Sequence, residues 1–425
     1  MNIQKSYDLY FNSDLRAIFE HCSKIARKNG YKLYLIGGIV RDLLLNQKSL
    51  DIDITVEGNA IEFVKILENK IGAKILSLHQ NFGTAKVQIE GQKVDFASTR
   101  NETYPKLGHL PHIEKIGCSL KEDVLRRDFT INSIAMSLNF ENFADIVDYT
   151  GGLEDLNAKK IRILHDKSFV DDPTRIIRAL KYATRLGFEL EEKTFKLQEE
   201  YLNNINYDMC YKRVKQEIRK TFEQNSQEAF EKFIGQKIYK LIASNNQIIR
   251  HAELVSASYQ QCILDRSRNR FGMTPVIENL IEKYNPKHPW IVYFGIIVIN
   301  EDINKLQPTK NEKSIIESAK CLLNSTFNND FEIYKAFSAQ KTETLLILAA
   351  LGKEKEVCHY LDDLKEIKPA ITGKDLIAMR FKPSKDFNKI FDYVLKEKLK
   401  KPELTKTDEI KLVNNYLSAD SSILS

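Results

Sequence analysis

Two aspartates separated by one residue, Asp51 and Asp53, stand in the segment DIDIT. Because side chains alternate along a strand, both carboxylates would lie on one face, with Ile52 and Ile54 on the other. Carboxylates held this close repel each other unless a cation lies between them, and hard oxygen ligands suit Mg²⁺. If the pair is taken alone, two solvated residues at a strand edge are the alternative.

A glycine pair precedes these aspartates. Gly37 and Gly38 follow the apolar run 33–36 and open the helical segment IVRDLLL. Free amides at a helix N-terminus and the missing Cβ atoms let a phosphate approach the backbone. Arg41, one turn into the helix, can add a charged fork to the same anion. This spacing predicts a site for a triphosphate and metal, which suits nucleotidyl transfer with two Mg²⁺ ions. Asp95 in KVDFAS is either a third carboxylate ligand or an edge residue of a hairpin.

Short strands and amphipathic helices must position these residues. Strand signals occur in KLYLIGG, LDIDITV, AKILSL, GTAKVQIEG and QKVDFAST, with a hairpin turn at Gly91. Helical segments end near Gly30 and Gly72, where glycine suits a C-cap. After residue 165, apolar residues recur at spacings of three and four. The sequence therefore predicts an α/β head with a small sheet, followed by a string of helices.

Composition limits the classes of protein to consider. The chain has 425 residues, 43% apolar and 29% charged, with a formal charge of +6. No run of eighteen apolar residues and no secretory signal are visible, so we expect a soluble, cytoplasmic protein without a membrane partner. The six cysteines are scattered without a CxxC pair, which argues against a zinc site and against a disulfide scaffold.

Two later segments differ from their surroundings. Residues 379–411 are rich in lysine, which indicates either a solvated helix face or contact with a polyphosphate backbone. Residues 250–274 interrupt the helical pattern, and we interpret them as an inserted loop.

Several motifs occur in a fixed order along the chain. After GG-x-VRD-L-L and DxD come RRDFTINSIAM, DYTGGLEDL, DDPTRIIRALKYATRLGF and KRVKQEI. Their order resembles that of the five motifs of class II tRNA nucleotidyltransferases, which include CCA-adding enzymes and related bacterial poly(A) polymerases. The resemblance covers residues 30–220 and thins afterwards, although ITGKDLIAM looks like the start of the family's tail domain.

The resemblance implies a domain plan. It implies a polymerase-β-like α/β nucleotidyltransferase head with a small mixed sheet, followed by an all-α neck, body and tail. The borders we predict are 1–145 for the head, 146–225 for the neck, 226–365 for the body and 366–425 for the tail.

The resemblance also implies roles for residues of the nucleotide site. Arg127 and Asp128 match positions that grip the phosphate and ribose hydroxyl of the incoming nucleotide. On the residues alone, Asp128 could equally be the N-cap of a helix FTINSIAM. Asp172 and Arg175 match a protein template for the base. A carboxylate accepts from the exocyclic amine of cytosine or adenine, and a guanidinium donates to the ring acceptors. Arg178, one turn on, would reach the triphosphate.

The chain departs from the family at two positions near this template. Asp171 replaces the usual glutamate and so orients Arg175 less firmly, and Lys181 replaces an arginine and cannot make a bidentate contact. Gly151 and Gly152 match a hinge between head and neck, or they form a plain turn. Glu217 matches a neck position that braces the template helix through Arg213 or a neighbour.

The function that the resemblance implies is addition of CCA to the tRNA 3′ end. CTP and ATP are the substrates, Mg²⁺ is the cofactor, and the helical remainder would clamp the acceptor and T arms of tRNA, not DNA. Addition of only CC or only A, and synthesis of poly(A), are alternatives. A non-catalytic RNA-binding module is a further alternative, which the presence of both metal aspartates disfavours. The sequence leaves the oligomeric state open.

Overall fold

A computed structural model describes residues 1–48, 51–224, 226–243, 273–379, 381 and 386–419 of the protein. The chain divides into two units, Met1–Leu241 and Ile242–Ser425. The loop interpreted as an insert at 250–274 lies outside the described residues, apart from its last two positions, which begin a helix. The domain borders given above stay predictions.

All strands of the described chain belong to the first unit. They are β1 (Lys32–Ile36), β2 (Asp53–Glu57), β3 (Lys74–His79), β4 (Thr84–Ile89), β5 (Gln92–Ser98), β6 (Arg100–Thr103), β7 (His112–Ile116), β8 (Ala135–Ser137), β9 (Ile146–Val147), β10 (Lys160–Ile161) and β11 (Glu189–Leu190). Seven form one sheet in the order β3-β4-β5-β2-β1-β8-β9, with β2 and β5 parallel and the other neighbours antiparallel. The mixed sheet confirms the predicted head, and the Gly91 turn joins β4 to β5 as predicted.

Helices of the first unit flank this sheet and follow it. They are α1 (Gln4–Tyr10), α2 (Ser13–Lys28), α3 (Gly38–Leu44), α4 (Ala60–Ile71), α5 (Leu120–Leu125), α6 (Gly152–Asn157), α7 (Ser168–Asp171), α8 (Thr174–Leu186), α9 (Glu192–Asn203), α10 (Tyr211–Gln224) and α11 (Ser226–Gly235). Local signals explain their ends. The Asn59 side chain caps α4, and Gly72 and Gly187 adopt the left-handed conformation after α4 and α8.

The register of the sheet brings distant segments to one edge. Leu35 of β1 lies opposite Ile54 of antiparallel β2, so the end of β1 meets the start of β2. Ile36 also lies opposite Ala135 at the start of β8. The turn after β1, the aspartates before β2 and the segment before β8 therefore share this edge, although up to 100 residues separate them along the chain.

The second unit is helical throughout its described part. Its helices are α12 (Met273–Tyr284), α13 (Pro289–Val298), α14 (Lys310–Leu323), α15 (Asp330–Phe337), α16 (Thr342–Leu348), α17 (Glu354–His359), α18 (Gly373–Ala378), α19 (Asp386–Lys400) and α20 (Lys406–Ala419). The buried residues Leu376, Ile390, Val394 and Val413 form a core where α18, α19 and α20 meet. No helix in the described ranges is long and apolar enough to cross a membrane.

The lysine-rich segment 379–411 is only partly a free cationic surface. Lys398 is buried and donates to the buried carboxylate of Glu409. Lys406 lies 2.6 Å from Asp375 in an exposed ion pair. Lys398 therefore fits neither the solvated face nor a contact with a polyphosphate, whereas Lys406 fits the solvated face.

Candidate active site

Three carboxylates converge at the edge where β2 begins. Asp53 opens β2 and lies directly beside Asp95 of the parallel strand β5. Burial, together with the charges of Asp95 and Asp51, raises the pKa of Asp53 to about 6, although Arg127 and Lys86 oppose the rise. The influence of Asp51 on Asp53 is what the alternating pattern predicts for two carboxylates on one face. This wall of the site therefore carries negative charge that its neighbours do not fully offset.

The donor set of this wall fits a particular kind of metal binding. Among the described residues, no three His, Cys, Asp or Glu side chains form a ready-made metal cluster. Mg²⁺ is typically held by one or two carboxylates together with substrate phosphates and water. Asp51 and Asp53 fit that arrangement, whereas the Asp95 carboxylate lies 3.2 Å from the Lys86 ammonium. The residues suit a metal whose coordination a bound triphosphate completes.

The glycine turn after β1 requires glycine. Gly37 has φ of 79° and ψ of −128°, a conformation that side chains with a Cβ rarely adopt. A Cβ at Gly37 would lie 3.5 Å from Nη1 of Arg127 and 3.6 Å from the Asn132 carbonyl. The Gly37 amide donates to the carbonyl of Ile134, so the amides of Gly38 and the next residues are those left for an anion.

Arg41 does not take the position that the sequence predicts. Its side chain is 1% exposed, donates through Nε and Nη2 to Asp42, and donates through Nη1 to Asn132 at 2.5 Å. Its guanidinium also lies over the ring of Tyr182, 4.9 Å from the centroid. Because Arg41 is buried among protein partners, we correct the predicted anion contact to a supporting role behind the turn.

Arg127 stands between the carboxylate wall and the rest of the site. Its Nη2 donates to Asp123 at 3.0 Å, and its buried Nε has no hydrogen-bond partner among the residues that the structure describes. The same side chain lies beside Gly37 and opposes the raised pKa of Asp53. An arginine with a spare buried donor at this point is suited to an anionic ligand.

Asp128 is part of a partly buried ion pair. Its Oδ2 accepts from Nε and Nη2 of Arg178 at 2.8 and 2.5 Å, and its Oδ1 accepts from the Asn132 amide. Although burial favours the neutral acid, Arg178 and Asn132 hold the pKa of Asp128 at about 2. The alternative of a helix N-cap is wrong, because residues 130–132 form a single 3₁₀ turn before β8.

The two residues implied as the base template line the same cleft but do not bond each other. Asp172 precedes α8, and its Oδ2 accepts from Arg213 at 2.6 Å. Arg175 donates to the Ser168 hydroxyl at 2.6 Å and to the Tyr104 hydroxyl at 3.1 Å. Arg213 thus holds Asp172 from outside α8, and Ser168 and Tyr104 hold Arg175. Within the described ranges, no hydrogen bond joins Asp171 to Arg175.

Helix α10 braces α8 through Glu217. Its Oε2 lies 3.2 Å from Nζ of Lys181 and 3.8 Å from Nη1 of Arg178. Although burial alone would raise it, the charges of Lys181 and Arg178 keep the pKa of Glu217 below its usual range. The predicted bracing role fits these contacts, but its partners are Lys181 and Arg178, while Arg213 bonds Asp172.

The implied hinge glycines form a closely packed helix start. Gly151 adopts φ of 77°, and a Cβ on Gly152 would lie 2.3 Å from the Thr130 carbonyl. The Asp148 carboxylate accepts from the amides of Gly152 and Leu153 at 3.0 and 2.8 Å. This geometry favours the turn over the hinge, since Gly152 is needed for close approach.

One cleft brings most of the sequence-predicted residues together. It has a volume of ≈ 390 Å³ and is lined, among others, by Arg127, Asp128, Asp172, Arg175, Arg178 and Glu217. The lining residues do not include Lys181, the glycines Gly37 and Gly38, or the aspartates Asp51 and Asp53. Arg127 connects the two groups, because it lines the cleft and contacts the glycine turn.

Residues 33–162 match the Poly A polymerase head domain. The CCA-adding enzyme of Bacillus pumilus is 32% identical over 380 residues, which cover 84% of this chain and 86% of that protein. The chain belongs to the tRNA nucleotidyltransferase family.

Other members of the tRNA nucleotidyltransferase family are similar over different lengths. The A-adding tRNA nucleotidyltransferase of Aquifex aeolicus is 48% identical over 172 residues, 40% of this chain, but the chain spans only 20% of that protein. A Thermotoga maritima CCA-adding enzyme complexed with tRNA shares the fold, with a TM-score of 0.73 at 24% identity and coverage of 99% and 98%. The predicted fold class and family are confirmed.

The family motifs miss several residues that complete the cleft. Tyr104 and the carbonyl of Arg126 both accept from Nη2 of Arg175, at 3.1 and 3.0 Å. Glu102 in turn accepts from Tyr104 and from Arg126. The segment RNETYPKLGHLP contains this tyrosine, but nothing local indicates that it meets a helix 71 residues later.

Proposed function

We propose that the protein adds CCA to the 3′ end of tRNA from CTP and ATP and releases pyrophosphate. One observation carries the proposal. Arg127 links a carboxylate wall suited to metal and phosphate with a cleft that holds Asp172 and Arg175, a carboxylate and a guanidinium suited to a base. The CCA-adding relative of similar length supports the same conclusion.

In the proposed reaction, the terminal 3′-hydroxyl of the RNA attacks the α-phosphorus of the nucleotide. A new P–O bond forms, the bond from the α-phosphorus to the bridging oxygen breaks, and pyrophosphate leaves. Asp51 and Asp53 would hold Mg²⁺, with Asp95 as a neighbouring charge. The chemistry that two bound ions supply is a lower pKa for the attacking hydroxyl and charge neutralisation on the phosphates. Arg127 and the turn at Gly37 and Gly38 position the phosphates.

Base selection in this proposal depends on Asp172 and Arg175. Asp172 accepts from the exocyclic amine that cytosine and adenine share, and Arg175 donates to the adjacent ring acceptor. Uracil and guanine would place a carbonyl against the carboxylate. Each buried group left without a partner costs roughly 1–3 kcal/mol, which is enough to reject the wrong base.

Asp128 and the helices complete the proposed substrate contacts. A carboxylate has about four acceptor sites, so Asp128 can accept from a ribose 2′-hydroxyl while it stays bonded to Arg178. Arg178 and Lys181 add positive charge near the triphosphate. The helical remainder would contact the tRNA acceptor and T arms through shape and phosphates. We place this activity in the cytoplasm, which the scattered free cysteines support.

The direct test uses purified protein, Mg²⁺, a tRNA that lacks its CCA end, and each labelled nucleotide in turn. We expect C to be added first, then A, and then no further nucleotide. Uridine and guanosine triphosphates should not be incorporated. Long A tracts on unrelated RNA would replace the proposal with poly(A) synthesis, and RNA binding without incorporation would leave only a binding module.

A-only addition is the second candidate, because the Aquifex protein of that name is 48% identical over the matched segment. A tRNA that already ends in CC distinguishes the two. If the protein extends this tRNA with A but adds nothing to a tRNA lacking CCA, the second candidate is correct. Extension with C but never with A would indicate CC-only addition.

A further inference from the structure

An ion pair ties the helix after the glycine turn to the helix that carries the template arginine. Nη2 of Arg185, in the last turn of α8, lies 2.6 Å from Oδ2 of Asp42 in α3. Asp42 is 2% exposed, and its other oxygen accepts from Arg41. The contact joins residues 143 positions apart in the sequence.

A second chain of hydrogen bonds runs between the same two helices. Arg41 donates to Asn132 Oδ1, Asn132 donates through Nδ2 to Asp128, and Asp128 accepts from Arg178 on α8. The ring of Tyr182, between the two α8 arginines, lies under the guanidinium of Arg41. Helix α8 is thus attached to α3 at two points about two turns apart.

We propose that Asp42 and Arg185 are positioning residues that hold the glycine turn at a fixed distance from Asp172 and Arg175. This inference rests on the proposed function, in which the turn holds the triphosphate and the start of α8 reads the base. A nucleotide fixed at both ends presents its α-phosphorus at one place only. Because a displacement of about 1 Å can cost on the order of a hundredfold in rate, this distance controls turnover.

The ion pair has features that suit this role better than simple stabilisation. Arg185 is 35% exposed and donates through Nη2 to one carboxylate oxygen, Oδ2 of Asp42. Because Asp42 also keeps its ion pair with Arg41, loss of the Arg185 contact leaves no unpaired buried charge. The position of the pair relative to the glycine turn matters more than its contribution to stability. Asp42 follows Arg41 in α3, and the Arg41 guanidinium would lie 3.6 Å from a Cβ built on Gly38.

The test compares Arg185→Gln with Arg185→Lys and with a matched control. Arg162→Gln is the control, because Arg162 is also a partly exposed arginine on a buried aspartate, Asp155, at 2.9 Å. We expect Arg185→Gln to lower kcat about tenfold or more while KM for CTP and ATP changes less than threefold. Arg185→Lys should recover most of the rate, and Arg162→Gln should keep kcat within about twofold.

A double-variant comparison and amide exchange complete the test. The double variant Asp42→Asn, Arg185→Gln should have a kcat no lower than that of Asp42→Asn alone. Each substitution removes the same Asp42–Arg185 interaction, so the second has nothing more to remove. Amide hydrogen exchange of residues 37–45 should accelerate in Arg185→Gln but not in Arg162→Gln. Unchanged exchange there, additive losses in the double variant, or equal kcat losses in Arg185→Gln and Arg162→Gln would overturn the inference. A wild-type protein that extends no tRNA would instead overturn the proposed function, and the exchange result would still decide the coupling.

Discussion

The two walls of the candidate site differ in how their charges are balanced. The strand wall is formed by Asp51, Asp53 and Asp95, whose carboxylates lie next to each other, and the pKa of Asp53 is raised to about 6. The helix wall is the side of the cleft lined by α8 and α10 and by Asp128 and Asp172. Opposite charges pair there, as in Asp128–Arg178 and Asp172–Arg213. The strand wall therefore needs a bound cation to balance its charge. The two carboxylates of the helix wall already have arginine partners and need no ligand for charge balance.

This difference indicates a division of labour. A surplus of carboxylates costs stability in the empty protein but binds a cation strongly once one is present. Groups that are already paired lose little freedom on binding and can hold a precise geometry for a base. We infer that affinity for metal and phosphate comes from the first wall and selectivity from the second.

The largest expected effect follows from neutralising Asp53. Because its folded pKa lies above the unfolded value, stability falls as the pH rises from about 4 to 6, and the full cost of the charged carboxylate is present above about pH 6. Asp53→Asn should raise the free energy of unfolding in EDTA at pH 7.5 by about 1 kcal/mol after solvent screening. The same change should lower kcat on the order of a thousandfold, since it removes a proposed metal ligand. Denaturant unfolding and single-turnover incorporation measure the two effects, and a destabilised variant would contradict the contrast between the walls.

Asp128→Asn should act in the opposite direction on stability. Arg178 holds the pKa of Asp128 at about 2 against the effect of burial, so the charged form stabilises the fold. We expect a loss of about 3 kcal/mol at pH 7, because Arg178 is left without its carboxylate.

The pH dependence of this loss checks its origin. The contribution is fully present above about pH 4 and is lost as the pH falls towards 2, so the difference from wild type should shrink by about 1 kcal/mol at pH 3. Urea unfolding at both pH values measures it. Asp166→Asn, which removes an exposed partner of Lys193, should change stability by less than about 0.5 kcal/mol at either pH. Equal effects of the two substitutions would remove the distinction.

The strand wall was easier to predict from sequence than the helix wall. Alternation within DIDIT is a local pattern, and it placed Asp51 and Asp53 together before any tertiary contact was known. The partners of Asp172 and Arg175 are instead supplied by Arg213 and Tyr104, 41 and 71 residues away. No local periodicity encodes such pairs, so only the fold reveals them.

One expectation and one alternative failed for physical reasons that local patterns do not contain. Arg41 was expected at an anion because it lies one turn from the glycines, but Asp42 and Asn132 offer it buried acceptors. The segment FTINSIAM has helical composition, yet pairing of Ala135 with Ile36 makes its end a strand. In both places tertiary partners override the local preference.

Asp172→Ala tests the selectivity of the helix wall. Removing the carboxylate leaves Arg213 without its partner and removes the acceptor for the exocyclic amine. We expect discrimination of CTP against UTP to fall by about 1–3 kcal/mol, roughly 5- to 150-fold, while Mg²⁺ affinity stays unchanged. Competition between labelled nucleotides measures the ratio. Thr174→Ala is the control, because it removes a hydroxyl bonded to Asp172 but keeps the carboxylate. Unchanged discrimination in Asp172→Ala would assign base selection elsewhere.

Asp95→Asn gives the smallest expected effect and defines the extent of the strand wall. Asp95 raises the pKa of Asp53, so its removal should stabilise the metal-free protein, but by less than about 1 kcal/mol because its ion pair with Lys86 is exposed and is lost as well. If Asp95 acts only through its charge, kcat should fall less than about tenfold. A loss as large as that of Asp53→Asn would make Asp95 a third metal ligand. Either result fixes whether this wall binds the metal with two carboxylates or three, and titration of Mg²⁺ at constant nucleotide distinguishes weaker metal binding from slower chemistry.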